Sequence, residues 1–235
     1  MCNVMYILAM TAINTPTYMR LREQVRSDIV SGVWPLGSHV TLAQLSDHYQ
    51  VSAIPVREAL LQLQGEGAVE MRMNRGAVIP MVDAKYVHDL YRLRGAIQCM
   101  LARDAARLAS IDQIDEMQTL CIAYESAAQS AEVGACVEAN RRLHVFIDRI
   151  GDNEMAVNLL QGRFSLVDAY RRAAGYGPHR LDVVVKQHRK LVEAITSKDE
   201  EKAANASLEH THSARLDLLK MLDLSAQATV RGRSG

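Results

Sequence analysis

The sequence predicts a mainly α protein, an N-terminal winged helix-turn-helix followed by a C-terminal all-α six-helix bundle. Three observations lead to that class. The stretch from Val51 to Gly76, VSAIPVREALLQLQGEGAVEMRMNRG, joins a helix signature to a short hairpin signature. Beyond Val82 this turn-rich texture gives way to long Ala- and Leu-rich segments. With 49% hydrophobic and 23% charged residues among 235, the chain has apolar material for one or two sizeable globular cores.

Taken in order, residues 1–16 read as a flexible or partner-docking arm. Its apolar run, Val4 to Ala12, is too short to span a bilayer and follows no Lys or Arg, so neither a membrane helix nor a signal peptide is expected. Residues 17–82 read as the winged-helix domain. Leu42, Leu45 and Tyr49 give a short periodic helix ending at Gln50. After a tight turn Ser52 is a good N-cap, and Pro55 sits in the first turn, where its missing N–H costs little. Val56, Ala59, Leu60 and Leu63 then form the buried stripe of a second helix, and Arg57 falls away from it. Gly67 can end that helix, and Ala68 to Arg72 and Ala77 to Met81 read as strands around Asn74-Arg75-Gly76. Helix, helix and hairpin make a DNA-reading winged helix.

Residues 83–224 read as helices over 84–109, 112–130, 132–150, 153–174, 180–197 and 199–221. The breaks fall at Ser110, Gly134, Gly151, Gly175 to Pro178 and Ser197 to Asp199. Residues 225–235 read as a disordered tail. Cys2, Cys99, Cys121 and Cys136 form no Cys-x-x-Cys pair, which fits reduced structural thiols and a cytoplasmic location.

Charge gives a counter-current. The net charge is zero, and residues 1–82 hold six arginines (20, 22, 26, 57, 72, 75) against six acids (23, 28, 47, 58, 66, 70). DNA affinity leans on cations placed against phosphates, so a single chain is not expected to bind DNA tightly without sequence preference. A dimer doubles the contacts, and all six arginines can line one surface if the acids face away.

Polar outliers cluster in the helical part. Asn140 and His144 stand four apart on one helix face, His188 lies in the fifth helix, and His210 lies in the sixth. Three neutral imidazoles and an amide oxygen suit a divalent ion such as Zn, Ni, Fe or Mn, with positions left for water or a ligand. From spacing alone the commoner outcome, histidines at the surface or hydrogen-bonded in a core, stands beside that reading.

Val51-Ser52-x-x-Pro55-Val56-Arg57-Glu58-Ala59-Leu60, followed by Leu63-x-x-Glu66-Gly67 and a wing Arg75-Gly76, resembles the GntR family of bacterial transcription regulators. The resemblance extends upstream through Ile29-Val30-Ser31-Gly32 and Trp34-Pro35-Leu36-Gly37. Where relatives often carry Arg directly after the serine this chain has Ala53. The run Asn140-x-x-x-His144, Gly151-Asp152-Asn153, Gln187-His188, Ala194-Ile195, Asp199 and His210 is similar to the FCD ligand-binding domain of the FadR subfamily, and six helices place it nearer the VanR-like branch. That resemblance implies a metal held by Asn140, His144, His188 and His210, with Asn140 where relatives have an acid. It implies that Arg94 holds the carboxylate of a small organic acid, with Gln98 one turn on, where relatives often have Glu. Arg163 and Tyr170 are further candidates for the effector cavity.

The expected function is therefore a homodimeric transcription regulator, a repressor in most such families, that binds double-stranded operator DNA and responds to a small organic acid. Ser52 and Gln44 are expected near phosphates, Arg57 at a base edge, and Arg75 and Gly76 in the flanking minor groove. The alternative is a helical metalloenzyme acting on a small carboxylate. It lacks His-Glu-x-x-His, has a single Glu-x-x-His from Glu209 to His212, and has no carboxylate base beside the histidines.

Overall fold

A computed structural model of the protein describes residues 16–72 and 75–232, without the side chains of 161–163 and 225–232. The chain divides into two compact units, residues 1–81 and 82–235. The arm expected over residues 1–16 lies outside the described residues except for Pro16, and Asn74 of the expected wing turn also lies outside them.

In the first unit, helix α1 (Thr17–Ser31) buries Leu21, Val25, Asp28 and Ile29 and ends on Gly32 in the left-handed region. Strand β1 (His39–Val40) leads into helix α2 (Leu42–Tyr49), whose start is fixed by a reciprocal Thr41 and Gln44 capping box and whose end is the left-handed Gln50. Helix α3 (Ala53–Gly65) buries the expected stripe Val56, Ala59, Leu60 and Leu63. Gly67 at φ +73 closes its C-terminus, with the Ala68 amide donating to the Leu63 carbonyl at 2.9 Å. Strands β2 (Glu70–Arg72) and β3 (Gly76–Val78) are shorter than the sequence suggests, and the antiparallel sheet has the order β1-β3-β2.

β1 pairs His39 with Val78 and Val40 with Ala77, a contact that single-sequence periodicity does not reveal in a two-residue strand. Gly76 makes it possible: at φ +93 a Cβ would stand 2.1 Å from the Val40 carbonyl oxygen. Ser52 occupies the N-cap of α3 as expected, but its side chain makes no capping hydrogen bond.

A second polar anchor ties α1 to α2. The Tyr49 hydroxyl donates to buried Asp28 at 2.6 Å and accepts from Trp34 Nε1 at 2.7 Å, so the Trp34-Pro35-Leu36-Gly37 turn is held to the helix pair.

The second unit is six helices: α4 (Ala84–Leu108), α5 (Ile111–Ser130), α6 (Val133–Ile150), α7 (Glu154–Ala174), α8 (Arg180–Thr196) and α9 (Glu200–Gly232). Asp83, Ser110, Glu132 and Asn153 each cap the following helix through a side-chain oxygen. Their apolar faces meet in a core containing Leu101, Ala105, Met117, Leu143, Ile147, Leu191 and Ile195. At Gly151 a Cβ would lie 2.8 Å from the Leu101 carbonyl oxygen, so glycine lets the end of α6 approach α4. α9 packs chiefly against α4 and α8. Its backbone stays helical to Gly232, through most of the stretch expected to be disordered, because nothing from Ser225 to Arg231 breaks a helix.

Candidate metal and effector centre and candidate nucleic-acid interface

Helical register brings the expected histidines together. The short link between α8 and α9 makes them antiparallel neighbours and sets His188 opposite His210, while α6 turns His144 inward beside Leu143 and Ile147. All three imidazoles are buried. Nε2 of His144 lies 3.2 Å from Nε2 of His188 and 3.1 Å from Nε2 of His210.

Burial, reinforced by neighbouring imidazole or guanidinium groups, holds the three rings neutral. His188 is pushed down to about 3, and His144 and His210 lie well below the ordinary imidazole range. The His210 Nδ1–H donates to Gln187 Oε1 at 3.1 Å, which leaves the Nε2 lone pair facing the centre. Neutral rings whose Nε2 atoms meet at one point suit a cation. A tetrahedral ion with metal–nitrogen bonds of about 2.0–2.1 Å spaces its nitrogens about 3.3 Å apart, close to the two distances from His144, and the three donor atoms all lie within 4.8 Å of one another. The donor set therefore fits a divalent metal. Asn140 stands half-buried one turn before His144 on α6, its side chain making no hydrogen bond to another described residue.

The effector residues implied by the resemblance resolve differently. Arg94 Nε donates to Gln98 Oε1 at 2.6 Å, and its guanidinium lies over Phe164 at 4.2 Å and near Tyr91 at 5.6 Å. The Nη edge makes no hydrogen bond to a described residue, so the fork remains open to a carboxylate. Gln98 is buried and its amide donates to both oxygens of Asp148, at 3.2 and 3.0 Å. It is thus a bridge between Arg94 and a buried acid. The Tyr170 hydroxyl is buried without a hydrogen-bond partner among the described residues, and the Arg163 side chain lies outside them.

Sequence reasoning passed over Asp148, Arg171, Arg180 and Asp217. Burial pushes the Asp148 carboxyl up to about 6 against the opposing pull of Gln98 and Arg94. The signal was present: Asp148 is one turn after His144, and Arg180 and Asp217 lie two turns from His188 and His210 along α8 and α9.

On the winged helix Arg57 is exposed on α3 and Arg75 is exposed beside Gly76. The charge pattern is narrower than six arginines on one surface. Arg22 and Arg26 pair with Glu23 on their own helix and with Glu66 at the end of α3, which packs against α1, and Arg72 pairs with Glu70 on β2. Gln44 spends its side-chain oxygen on the Thr41 cap, so only its amide NH2 can meet a phosphate. Ile54, one turn before Arg57 and 72% exposed, was not anticipated as part of this surface.

Comparison with known proteins agrees with this architecture. Residues 89–213 match the FCD domain, and residues 17–79 match the bacterial regulatory proteins of the gntR family. The uncharacterized HTH-type transcriptional regulator YdhC of Bacillus subtilis is 25% identical over 205 residues, 83% of this chain and 88% of that protein. The HTH-type transcriptional repressor RspR of Escherichia coli is 23% identical, covering 83% of this chain and 86% of the relative. Among solved structures, E. coli McbR/YncC superposes with a TM-score of 0.76 at 19% identity, over 88% of this chain and 98% of that one. The relatives do not favour the metalloenzyme alternative, and Glu209, the nearest carboxylate in sequence to the histidines, is exposed and paired with Lys190.

Proposed function

From the premise that this chain belongs to the GntR family of bacterial regulatory proteins and carries an FCD domain, we propose that it is a cytoplasmic, homodimeric repressor released from its operator by a small organic acid. That it is a transcription regulator and not an enzyme follows from the family and its relatives. No helix among the described residues is long and apolar enough to cross a membrane.

The observation that carries the effector reading is the meeting of three neutral Nε2 atoms in a buried core that also holds a guanidinium with an open edge. His144, His188 and His210, with Asn140, would hold a divalent ion. Bound there, it would offer a carboxylate a positive charge and open coordination positions. Arg94 takes the acid's second oxygen edge, Gln98 holds Arg94 in place, and Tyr170 offers its unpaired hydroxyl to the ligand. On the DNA side Arg57 reads a base edge, the free Ser52 hydroxyl and the Gln44 amide meet phosphates, and Arg75 enters the minor groove, while Gly76, expected there too, is buried against β1 and serves to shape the wing. Release requires the acid to bind the DNA-free arrangement better, and a coupling of about 1–3 kcal/mol suffices.

The test is fluorescence anisotropy on duplexes enriched from random DNA, using protein of measured metal content. Saturable binding to a short palindrome that an organic acid reverses is expected. Binding that is weak and equally lost for all sequences as salt rises would overturn the reading.

A further inference from the structure

The bundle holds a second buried cationic point that the effector reading above does not use. Arg171 and Arg180 are both buried, at 7% and 6% exposure. Asp217 is the carboxylate that answers them: Arg171 Nη1 meets its Oδ2 at 2.7 Å, and Arg180 Nε stands 3.8 Å from the same oxygen. Two guanidinium groups thus share one acid out of water, where an uncompensated charge is expensive.

Arg180 also reaches toward the triad. Its Nη1 donates to Ser213 Oγ at 2.6 Å, and Ser213 is three residues beyond His210, about 4.5 Å of helical rise. On the Arg94 side the buried Tyr91 ring lies 5.6 Å from the guanidinium carbon. The Tyr124 hydroxyl is fully buried with no hydrogen-bond partner among the described residues, while its ring stands edge-on to His188 with centroids 4.4 Å apart. A buried hydroxyl left unpaired beside the triad is a place for a ligand acceptor. A cavity of about 320 Å³ lined by Tyr176 and Arg180 opens at this end of α8.

We infer that the effector carries two acidic groups, one taken by Arg94 beside the histidine triad and the other by Arg180 with the Tyr124 hydroxyl. This rests on the reading of Arg94 and the triad as the effector site. A monocarboxylate fills only the first position and leaves the Arg171, Arg180 and Asp217 cluster with its surplus charge.

The test is calorimetric titration of the Zn-supplemented full-length protein with acetate, propionate and butyrate against malonate, succinate and glutarate at matched ionic strength. At least one diacid is expected to bind about tenfold or more tighter than any monoacid. Arg180→Gln is expected to erase that difference while leaving monoacid affinity within about threefold, and Arg180→Lys, which keeps the charge, to retain part of it. Arg94→Gln weakens both series. If wild-type protein binds monoacids in an Arg94-dependent way and diacids no better, the inference falls and the Arg94 reading stands. If neither series binds, or Arg94→Gln changes nothing, the effector reading falls and takes the inference with it. Should Arg180→Gln fail to fold, the wild-type ratio and the lysine variant decide.

Discussion

Arg20, Arg57 and Arg75 are exposed and form no ion pair among the described residues, whereas Arg22, Arg26 and Arg72 are tied to acids. A dimer therefore offers six free guanidinium groups. If all six displaced phosphate counterions, the logarithm of the binding constant would fall against the logarithm of salt with a slope of about −5. With both copies of Arg57 on base edges the slope would be about −3.6. Arg75→Ala should take about 2 off the slope, from two copies, and weaken operator and random DNA alike. Arg57→Ala should instead leave the slope and cost about 1–3 kcal/mol per half-site on the operator alone. The assay is anisotropy across a salt series with an enriched palindrome and a scrambled duplex. An Arg57→Ala variant that weakens both duplexes equally and flattens the slope would make Arg57 a phosphate contact. One with unchanged operator affinity would remove it from the reading set.

In the helical unit, His144→Ala removes the ring whose Nε2 meets both others, so metal content after purification should fall; full stoichiometric metal in that variant would refute the ligand assignment. Chelation of the wild-type protein should lower its stability by about 2.7 kcal/mol relative to protein held at a hundred times the metal dissociation constant, read as a shift in thermal midpoint. Tyr49→Phe should destabilise the first unit by about 1–3 kcal/mol, since both Asp28 and Trp34 Nε1 lose a partner; a denaturant midpoint unchanged from wild type would mean water replaces the hydroxyl. Asp148 has a folded-state pKa raised to about 6, so the stability it contributes is present below its unfolded value and is lost as pH rises through 6. Asp148→Asn should therefore gain on wild type by up to about 3 kcal/mol between pH 4 and pH 7.5 in metal-free protein, and a pH-independent difference would show that the carboxyl is not held protonated.

Much of this fold was legible because its signals are local. Ser110 and Gln113, Asp83 and Asn153 announce helix starts within four residues of sequence, and the stripe Val56, Ala59, Leu60 and Leu63 needs no knowledge of what covers it. What escaped depends on contacts distant in sequence. β1 is two residues that become a strand only because Gly76 lets β3 come within reach. The pairing of Arg26 with Glu66 joins α1 to the end of α3, and nothing in either segment signals it. Asp148 looked like one more charge on a helix until α4 placed Gln98 against it. Arg94 was legible as a residue type, but its orientation was not, since that is fixed by Gln98 on one side and Phe164 on the other.

The same division bears on what the helical unit can recognise. α8 and α9 are antiparallel and joined by a short link, so one register fixes two rungs together: His188 facing His210, and Arg180 facing Ser213 and Asp217. Along α8 these rungs are eight residues apart, about 12 Å of rise, a distance set by helix geometry rather than by side-chain choice. The arginine's length then closes part of that gap from one end. Arg94 is independent of this ladder because it comes from α4, and its place is held by a neutral amide rather than by a salt bridge. An acid that takes the open Nη edge of Arg94 thus breaks no ion pair, whereas one that draws Arg180 away from Asp217 must supply the charge it removes. Ligand discrimination should consequently be steeper at Arg180 than at Arg94, with net ligand charge deciding at the first position and carboxylate geometry at the second.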